Sequence, residues 1–350
     1  MPPAHLRVAL VGTPNTGKST LFNALSGLRQ HVGNYPGVTV EMKKGRFRFH
    51  GIDFTLIDLP GTYSLAPRSP DEMVAVDVIL GRQGGEARPD LLVCIADASN
   101  LERNLYLASQ ALELGLPVLV ALNMVDVAEG QGIRLDVNLL ADRLGVPIIP
   151  IQANKRKGLD DLRAAIAKMA RASAPVLMPT FPPAFVAEVD SLGRLLDEVP
   201  AFLVRRLLID VGGTTETRLL AGRTDLSGPL AEARKRLAAA GFSVPAIEAR
   251  TRYAWIRQAM AGCVQRPTVR PTTWTDRLDR VLTHRVGGAV VFLVVMFLLF
   301  QSIYTAAWPL MKLIDAGKDW LGELVGSTLP PGPFTNLLVE GVIGGVALTA

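Results

Sequence analysis

Gly12-Thr13-Pro14-Asn15-Thr16-Gly17-Lys18-Ser19 fits the spacing G-x-x-x-x-G-K-[ST] and follows the apolar run Val8-Ala9-Leu10-Val11. Residue types in that order do phosphate chemistry. Glycines let successive backbone N–H groups converge on an anion, and a helix starting near Lys18 adds its positive end. Lys18 would bridge the β- and γ-phosphates of a nucleoside triphosphate, Ser19 would hold Mg2+, and Thr20 stands beside them among the nucleotide contacts. A glycine turn with no ligand is the competing reading; a strand before the loop and a helix after it weigh against that.

Phosphates carry no base identity, so the base must be read elsewhere. Asn123-Met124-Val125-Asp126 follows the strand-like run "PVLVAL", where nucleotide-binding sheets present their loops. Asp126 can accept from the N1–H and N2–H2 groups of guanine together, a donor pair that adenine lacks, and Asn123 can meet the N7 edge and brace neighbouring loops. This predicts GTP. Asp58-Leu59-Pro60-Gly61 follows "DFTLI": Asp58 can reach the Mg2+ shell through water and the Gly61 N–H the γ-phosphate, which makes the loop a sensor of hydrolysis. Thr39, in Gly37-Val38-Thr39-Val40-Glu41, is the candidate to reach Mg2+ and the γ-phosphate from a first switch; an ordinary threonine entering a strand is the alternative. Gln152-Ala153-Asn154 would close over the guanine O6 with a backbone N–H. Asn15, Lys18, Thr39 and Gly61 form the expected catalytic set.

The elements that must position these loops are legible as alternating short apolar runs and amphipathic stretches. They predict an α/β fold: a P-loop GTPase domain with a doubly wound, mostly parallel sheet over residues 1–172. A Pro-rich break then leads to a small helical domain over 173–265, in which "LIDVGGTTETRLLAG" is expected to include a strand or a turn. A basic juxtamembrane linker, 266–285, precedes a first transmembrane helix at 286–309, with roughly 22 residues free of charge where a bilayer needs about 20. An extracytoplasmic amphipathic segment, 310–333, and the start of a second membrane segment, 334–350, complete the expected order, so the sequence reads as the front part of a larger membrane protein. Arg270, Arg277, Arg280 and Arg285 before the span place the N-terminal body in the cytoplasm by the positive-inside rule. No signal peptide is evident at the N-terminus.

The composition agrees with this division. Of 350 residues, 49% are hydrophobic, high for a purely soluble chain, and the net charge of +5 fits nucleic acid, an anionic membrane face or Lys and Arg flanking a membrane segment, among which charge alone does not choose. Cys94 sits inside "LLVCIAD" and reads as a buried strand residue of a reducing compartment. His5, His31, His50 and His284 are scattered without ligand spacing.

With "GTPNTGKS", "NYPGVTVE", "DLPGTYSL", "DASNLERNLYL" and "NMVD" in one chain, the sequence resembles the FeoB family of bacterial ferrous iron transport proteins. The resemblance implies Fe2+ uptake across the inner membrane, gated or driven by GTP binding and slow hydrolysis, and a dissociation-inhibitor-like role for the helical domain. It implies Fe2+, GTP and GDP, the lipid bilayer, small accessory cytoplasmic proteins and self-association as partners. Thr62 follows Gly61 where Ras-like enzymes carry a water-orienting Gln, so slow turnover is expected. Asn15 matches the Asn with which potassium-activated GTPases hold K+ beside the phosphates; an Asn that only tightens the loop is the equal alternative. Gln152 stands where the family has a small residue, which puts guanine contacts from that loop in question. Two other classes share the GTP motifs: a membrane-tethered GTPase switch without transport, and a ribosome- or RNA-associated GTPase, for which no basic module appears after residue 170.

Overall fold

The computed structural model describes residues 5–343 except 28–29, 36–40, 68–69, 85–86, 170–176, 197–198, 268–273 and 331. They form two compact units, Met1–Arg270 and Pro271–Ala350. In chain order the first unit begins β1 (His5–Gly12), α1 (Lys18–Ser26), β2 (Gln30–Asn34), β3 (Glu41–Phe49), β4 (Ile52–Asp58), α2 (Pro70–Leu80), β5 (Leu91–Asp97) and α3 (Leu101–Ala111). It continues β6 (Val118–Asn123), α4 (Val125–Gly130), β7 (Arg134–Leu135), α5 (Val137–Leu144), β8 (Ile148–Pro150) and α6 (Leu159–Met169).

Seven strands form one sheet in the order β2-β3-β4-β1-β5-β6-β8. β4, β1, β5, β6 and β8 are parallel, while β2, β3 and β4 pair antiparallel. The β3–β4 hairpin closes on His50 and Gly51, both at positive φ (47° and 79°), the two-residue geometry that matches strand twist. Each central strand is apolar on both sides. Val8 and Leu10 enter one core with Phe22, Phe54 and Ile166, whereas Ala9 and Val11 enter the other with Ile57, Val76 and Leu105. Alternating side chains cannot do otherwise between two helical layers.

Parallel register then aligns the strand ends. Leu10 pairs with Asp58, Gly12 with Ile95 and Asp97 with Asn123, so the loops after β1, β4, β5 and β6 leave from one edge of the sheet.

The helical part comprises α7 (Pro183–Gly193), α8 (Ala201–Ile209), α9 (Thr214–Leu220), α10 (Ser227–Ala239) and α11 (Val244–Met260), followed by β9 (Val264–Gln265). It has a core of its own around Phe185, Leu208 and Leu230, but Phe202, Leu203 and Ile256 belong to the core of the α/β part. The "LIDVGGTTETRLLAG" stretch holds a turn and a helix rather than a strand. The Asp210 carboxylate accepts from the Thr215 N–H (2.8 Å), and Glu216 accepts from the Gly212 N–H (2.7 Å) and Arg234 (2.8 Å), which starts α9.

In the second unit, α12 (Trp274–Leu282) leads by a four-residue corner to α13 (Gly287–Thr328). Its Gly287–Thr305 stretch is apolar and long enough to cross a membrane. Position 309 is not a helix end: the 42-residue α13 passes through Pro309 and carries residues 310–328 in the same helix.

Candidate functional site

The first turn of α1 starts at Lys18, with Gly17 at φ 86° immediately before it. Gly17 is constrained twice, by its left-handed backbone and because an added Cβ would collide with the Asn123 Nδ2. Asn15 is also left-handed, φ 66°, a conformation that Asn tolerates better than most residues. Thr13 Oγ1 donates to Asn104 Oδ1 on α3 (2.8 Å) and Thr16 Oγ1 to the Thr13 carbonyl (2.8 Å), both buried. The loop is therefore held by hydrogen bonds beneath it, while Pro14, Asn15, Ser19 and Thr20 remain exposed.

The loop after β4 lies against this one. Leu59 N–H donates to the Leu10 carbonyl (3.2 Å) and Thr62 N–H to the Gly12 carbonyl (3.2 Å), which brings Gly61 over Pro14. Lys18 Nζ and the Asp58 carboxylate form an ion pair across the mouth. Both charges are largely buried there, so a phosphate group with its cation competes for two partners already placed. Ser19 and Asp58 supply hard oxygen donors at this mouth, the donor type that Mg2+ takes.

Asn123 ties the third loop to the other two. Its Nδ2 donates to the Thr16 carbonyl (2.9 Å) and its Oδ1 accepts from the Ala153 N–H (3.1 Å). The Ala153 N–H is thus turned onto Asn123. Asp126 Oδ2 accepts from Lys155 Nζ (2.7 Å), and this hydrogen bond, with the charge behind it, holds the Asp126 carboxyl below its ordinary value. Lys155 is the residue that sequence reasoning missed; it lies in the short basic run "NKRKG", and no spacing links it to Asp126. Met124 takes a left-handed turn (φ 59°) so that α4 can begin at Val125. Gln152 N–H and carbonyl pair with Lys157, shaping the loop by backbone, and Asn154 is exposed. Gly37, Val38, Thr39 and Val40 lie outside the described residues; Glu41, at the start of β3, is exposed and pairs with Lys43 (3.3 Å).

Behind Gly61 the chain is gripped by a residue from α3. Gln110, fully buried, accepts at Oε1 from the Leu65 N–H (2.7 Å) and Ser64 Oγ (3.0 Å) and donates from Nε2 to Glu248 on α11 (2.9 Å). Glu248 also pairs with Arg206 and Arg252, and Arg252 with Glu113 (2.9 Å). Burial by itself would raise the Glu248 carboxyl; Arg206, Arg252 and the Gln110 bond outweigh it and hold the group below its ordinary value. Next to this network lies a cleft of about 660 Å3 between the loop, α3, α8 and α11, lined by Tyr63, Arg103 and Tyr253 among others.

A phosphate loop after β1, a carboxylate at the end of β4 and an Asn–Asp loop after β6, all on one edge of a parallel sheet, define a P-loop GTP-binding domain, here with a helical part docked on it. The family model "Ferrous iron transport protein B" matches residues 6–166. The chain is 33% identical to the cytosolic domain of L. pneumophila FeoB (TM-score 0.60), over 74% of this chain and 100% of that one. It is 31% identical to the cytosolic domain of T. maritima FeoB in its GMPPNP form (TM-score 0.62), over 74% and 99%. The Fe(2+) transporter FeoB of Escherichia coli (strain K12) is 38% identical over 355 residues, 97% of this chain and 44% of the transporter. The chain belongs to the FeoB family, and it spans less than half the length of the curated relatives it matches.

Proposed function

We propose that this chain is the GTP-hydrolysing front part of a ferrous iron uptake protein of the bacterial inner membrane, its nucleotide state gating or driving the passage of Fe2+. The observation that carries the nucleotide half is Asn123, whose two amide atoms join the phosphate loop to the loop beyond β8 and set Asp126 beside both. The relatives named Fe(2+) transporter support the iron half. Lys18 and the backbone N–H groups of residues 12–20 take the phosphates, and Asp126 takes guanine's N1–H and N2–H2. Ser19, Thr39 and Asp58 are the residues that would hold Mg2+, which supplies charge neutralisation on the phosphates. Asn15, exposed and left-handed above the loop, would hold K+.

Hydrolysis is slow on this reading. Thr62 is buried and its Oγ1 donates to the Ser64 carbonyl (2.6 Å), so the residue after Gly61 is turned away from an attacking water. The N-terminal unit lies in the cytoplasm, α13 enters the bilayer from there, and accessory cytoplasmic proteins or a second copy would bind the N-terminal unit.

The test is Fe2+ accumulation in bacteria lacking their own ferrous uptake, supplied with the full-length gene unchanged or carrying Asp126→Asn. Uptake with the parent, loss with the variant and partial rescue by a xanthine nucleotide in membrane vesicles are expected. A parent that inserts and binds GTP but accumulates no iron would remove the transport assignment and leave a membrane-tethered switch.

A further inference from the structure

Leu278, Val281 and Leu282 share one side of α12, since residues three and four apart stack along a helix. They are 58%, 50% and 47% exposed, which is unusual for three adjacent large apolar side chains. Arg280 lies on the opposite side, and Arg277 and Asp279 flank the apolar strip. Nine residues make the helix about 14 Å long.

The corner between α12 and α13 fixes the direction of the shorter helix. Thr283 N–H and Oγ1 donate to the Asp279 carbonyl (2.8 and 2.6 Å), ending α12. His284 Nδ1 accepts from the Val286 and Gly287 N–H groups (3.3 and 3.1 Å), and the His284 carbonyl accepts from the Gly288 N–H (2.7 Å), starting α13. The corner is too close for side chains: a Cβ on Gly287 would lie 2.8 Å from the Val281 carbonyl oxygen, and one on Gly288 would collide with the Leu282 carbonyl. Backbone contact therefore sets the angle between α12 and α13.

We propose that α12 is an interfacial helix that lies in the lipid surface where the chain enters the membrane. Leu278, Val281 and Leu282 sink into the boundary between headgroups and acyl chains, Arg280 faces water, and Arg285 at the corner reaches lipid phosphates. The proposal rests on the reading of Gly287–Thr305 as a membrane span. Two observations favour lipid over a protein partner. The apolar strip adjoins the span: Leu282 stands five residues before Gly287, and Val290, Phe292 and Leu293 are themselves 54–65% exposed. Arg285 stands between the strip and the span, where lipid headgroups would offer it negative charge.

The experiment uses the full-length protein in nanodiscs of phosphatidylcholine and phosphatidylglycerol. A fluorescent label is placed at Leu278→Cys, Val281→Cys, Asp279→Cys or Val294→Cys, and quenching is read with lipids bearing a nitroxide near the headgroup or deep in the acyl chain. Cys94 and Cys263 are buried, and burial pushes the Cys94 thiol up to about 12, so these two add little background; any further cysteine of the full-length protein is first replaced by serine. Retained binding of fluorescent GDP shows that each variant is folded. Quenching by the headgroup-level nitroxide several-fold stronger at 278 and 281 than at 279, with deep quenching at 294, is the expected result. Deep quenching at 294 together with equal, weak quenching at 278, 281 and 279 overturns the interfacial helix, meaning that water or protein covers the strip. Absence of deep quenching at 294 overturns the span and the proposal with it.

Discussion

Asp126 shows how a single side chain can be both prepared and contested. Lys155 already donates to its carboxylate, so under the proposed function lysine and guanine compete for that group. An exposed ion pair is weak, so removing it shifts affinity only modestly. Lys155→Ala is therefore expected to tighten GDP binding by a few-fold at most, read by titration calorimetry; weaker binding would mean that the lysine shields the base rather than competing with it. Lys18 carries the larger stake, because it is the full positive charge at the phosphate loop and is already desolvated against Asp58. Lys18→Ala should abolish nucleotide binding, and unchanged affinity would remove the site assignment. Asn15→Ala should keep binding but lose K+ stimulation of hydrolysis, with equal stimulation in both proteins showing a structural role only.

At the scale of elements, two clamps join the helical part to the α/β part. The first is the Gln110–Glu248 bond with its arginines, which fastens the loop after Gly61 to α11. Removing the Glu248 charge leaves Arg206 without its buried carboxylate, and breaking a buried pair costs about 3–5 kcal/mol. Glu248→Gln should lower the thermal midpoint accordingly. Because the folded carboxyl lies below its ordinary value of 4.5, its contribution is full above pH 4.5 and is lost as pH falls through the lower folded value. The stability difference between parent and Glu248→Gln should thus shrink on acidification below pH 4.5; a difference independent of pH there would contradict the pairing. The second clamp is Arg143 on α5, which donates to the carbonyls of Gln258 (3.3 Å), Ala259 (3.4 Å) and Ala261 at the end of α11. Just beyond, β7 pairs with β9. Arg143→Ala should cost about 1–2 kcal/mol and speed amide hydrogen exchange at Ala261–Gln265, since the last carbonyls of a helix have no partner within it.

For the whole molecule, shared packing decides cooperativity. Phe202, Leu203 and Ile256 of the helical part lie in the same core as β1, β5 and β6, so residues up to 270 are expected to melt in one transition. GDP at a hundred times its Kd should raise the stability of that transition by about 2.7 kcal/mol. Two separate calorimetric transitions, only one of them moved by GDP, would show that the helical part is a loosely attached body. The second unit poses a problem of length. α13 has 42 residues, about 63 Å, roughly twice a bilayer core. Its charged residues Lys312, Asp315, Lys318, Asp319 and Glu323 fall in the second half, and Lys312 stacks over Trp308 at 3.8 Å.

Features that depend on neighbours along the chain were legible in the residues alone. The phosphate loop is eight consecutive residues between an apolar strand and a helix, the Asp58 and Asn123 loops come after short apolar runs, and the run after Gly287 is long and uncharged. Family membership and the α/β class came from those local patterns. Only the tertiary structure decided how Asn123 reaches back 107 residues to Thr16, that Lys155 holds Asp126, and that Gln110 bonds Glu248 across 138 residues. It also made the stretch near Gly212 a turn that caps a helix and carried α13 past Pro309. The physical reason is common to all of these. A hydrogen bond or ion pair between distant residues leaves no periodicity in either segment, and caps and close backbone contacts depend on which groups the fold brings within about 3 Å of each other.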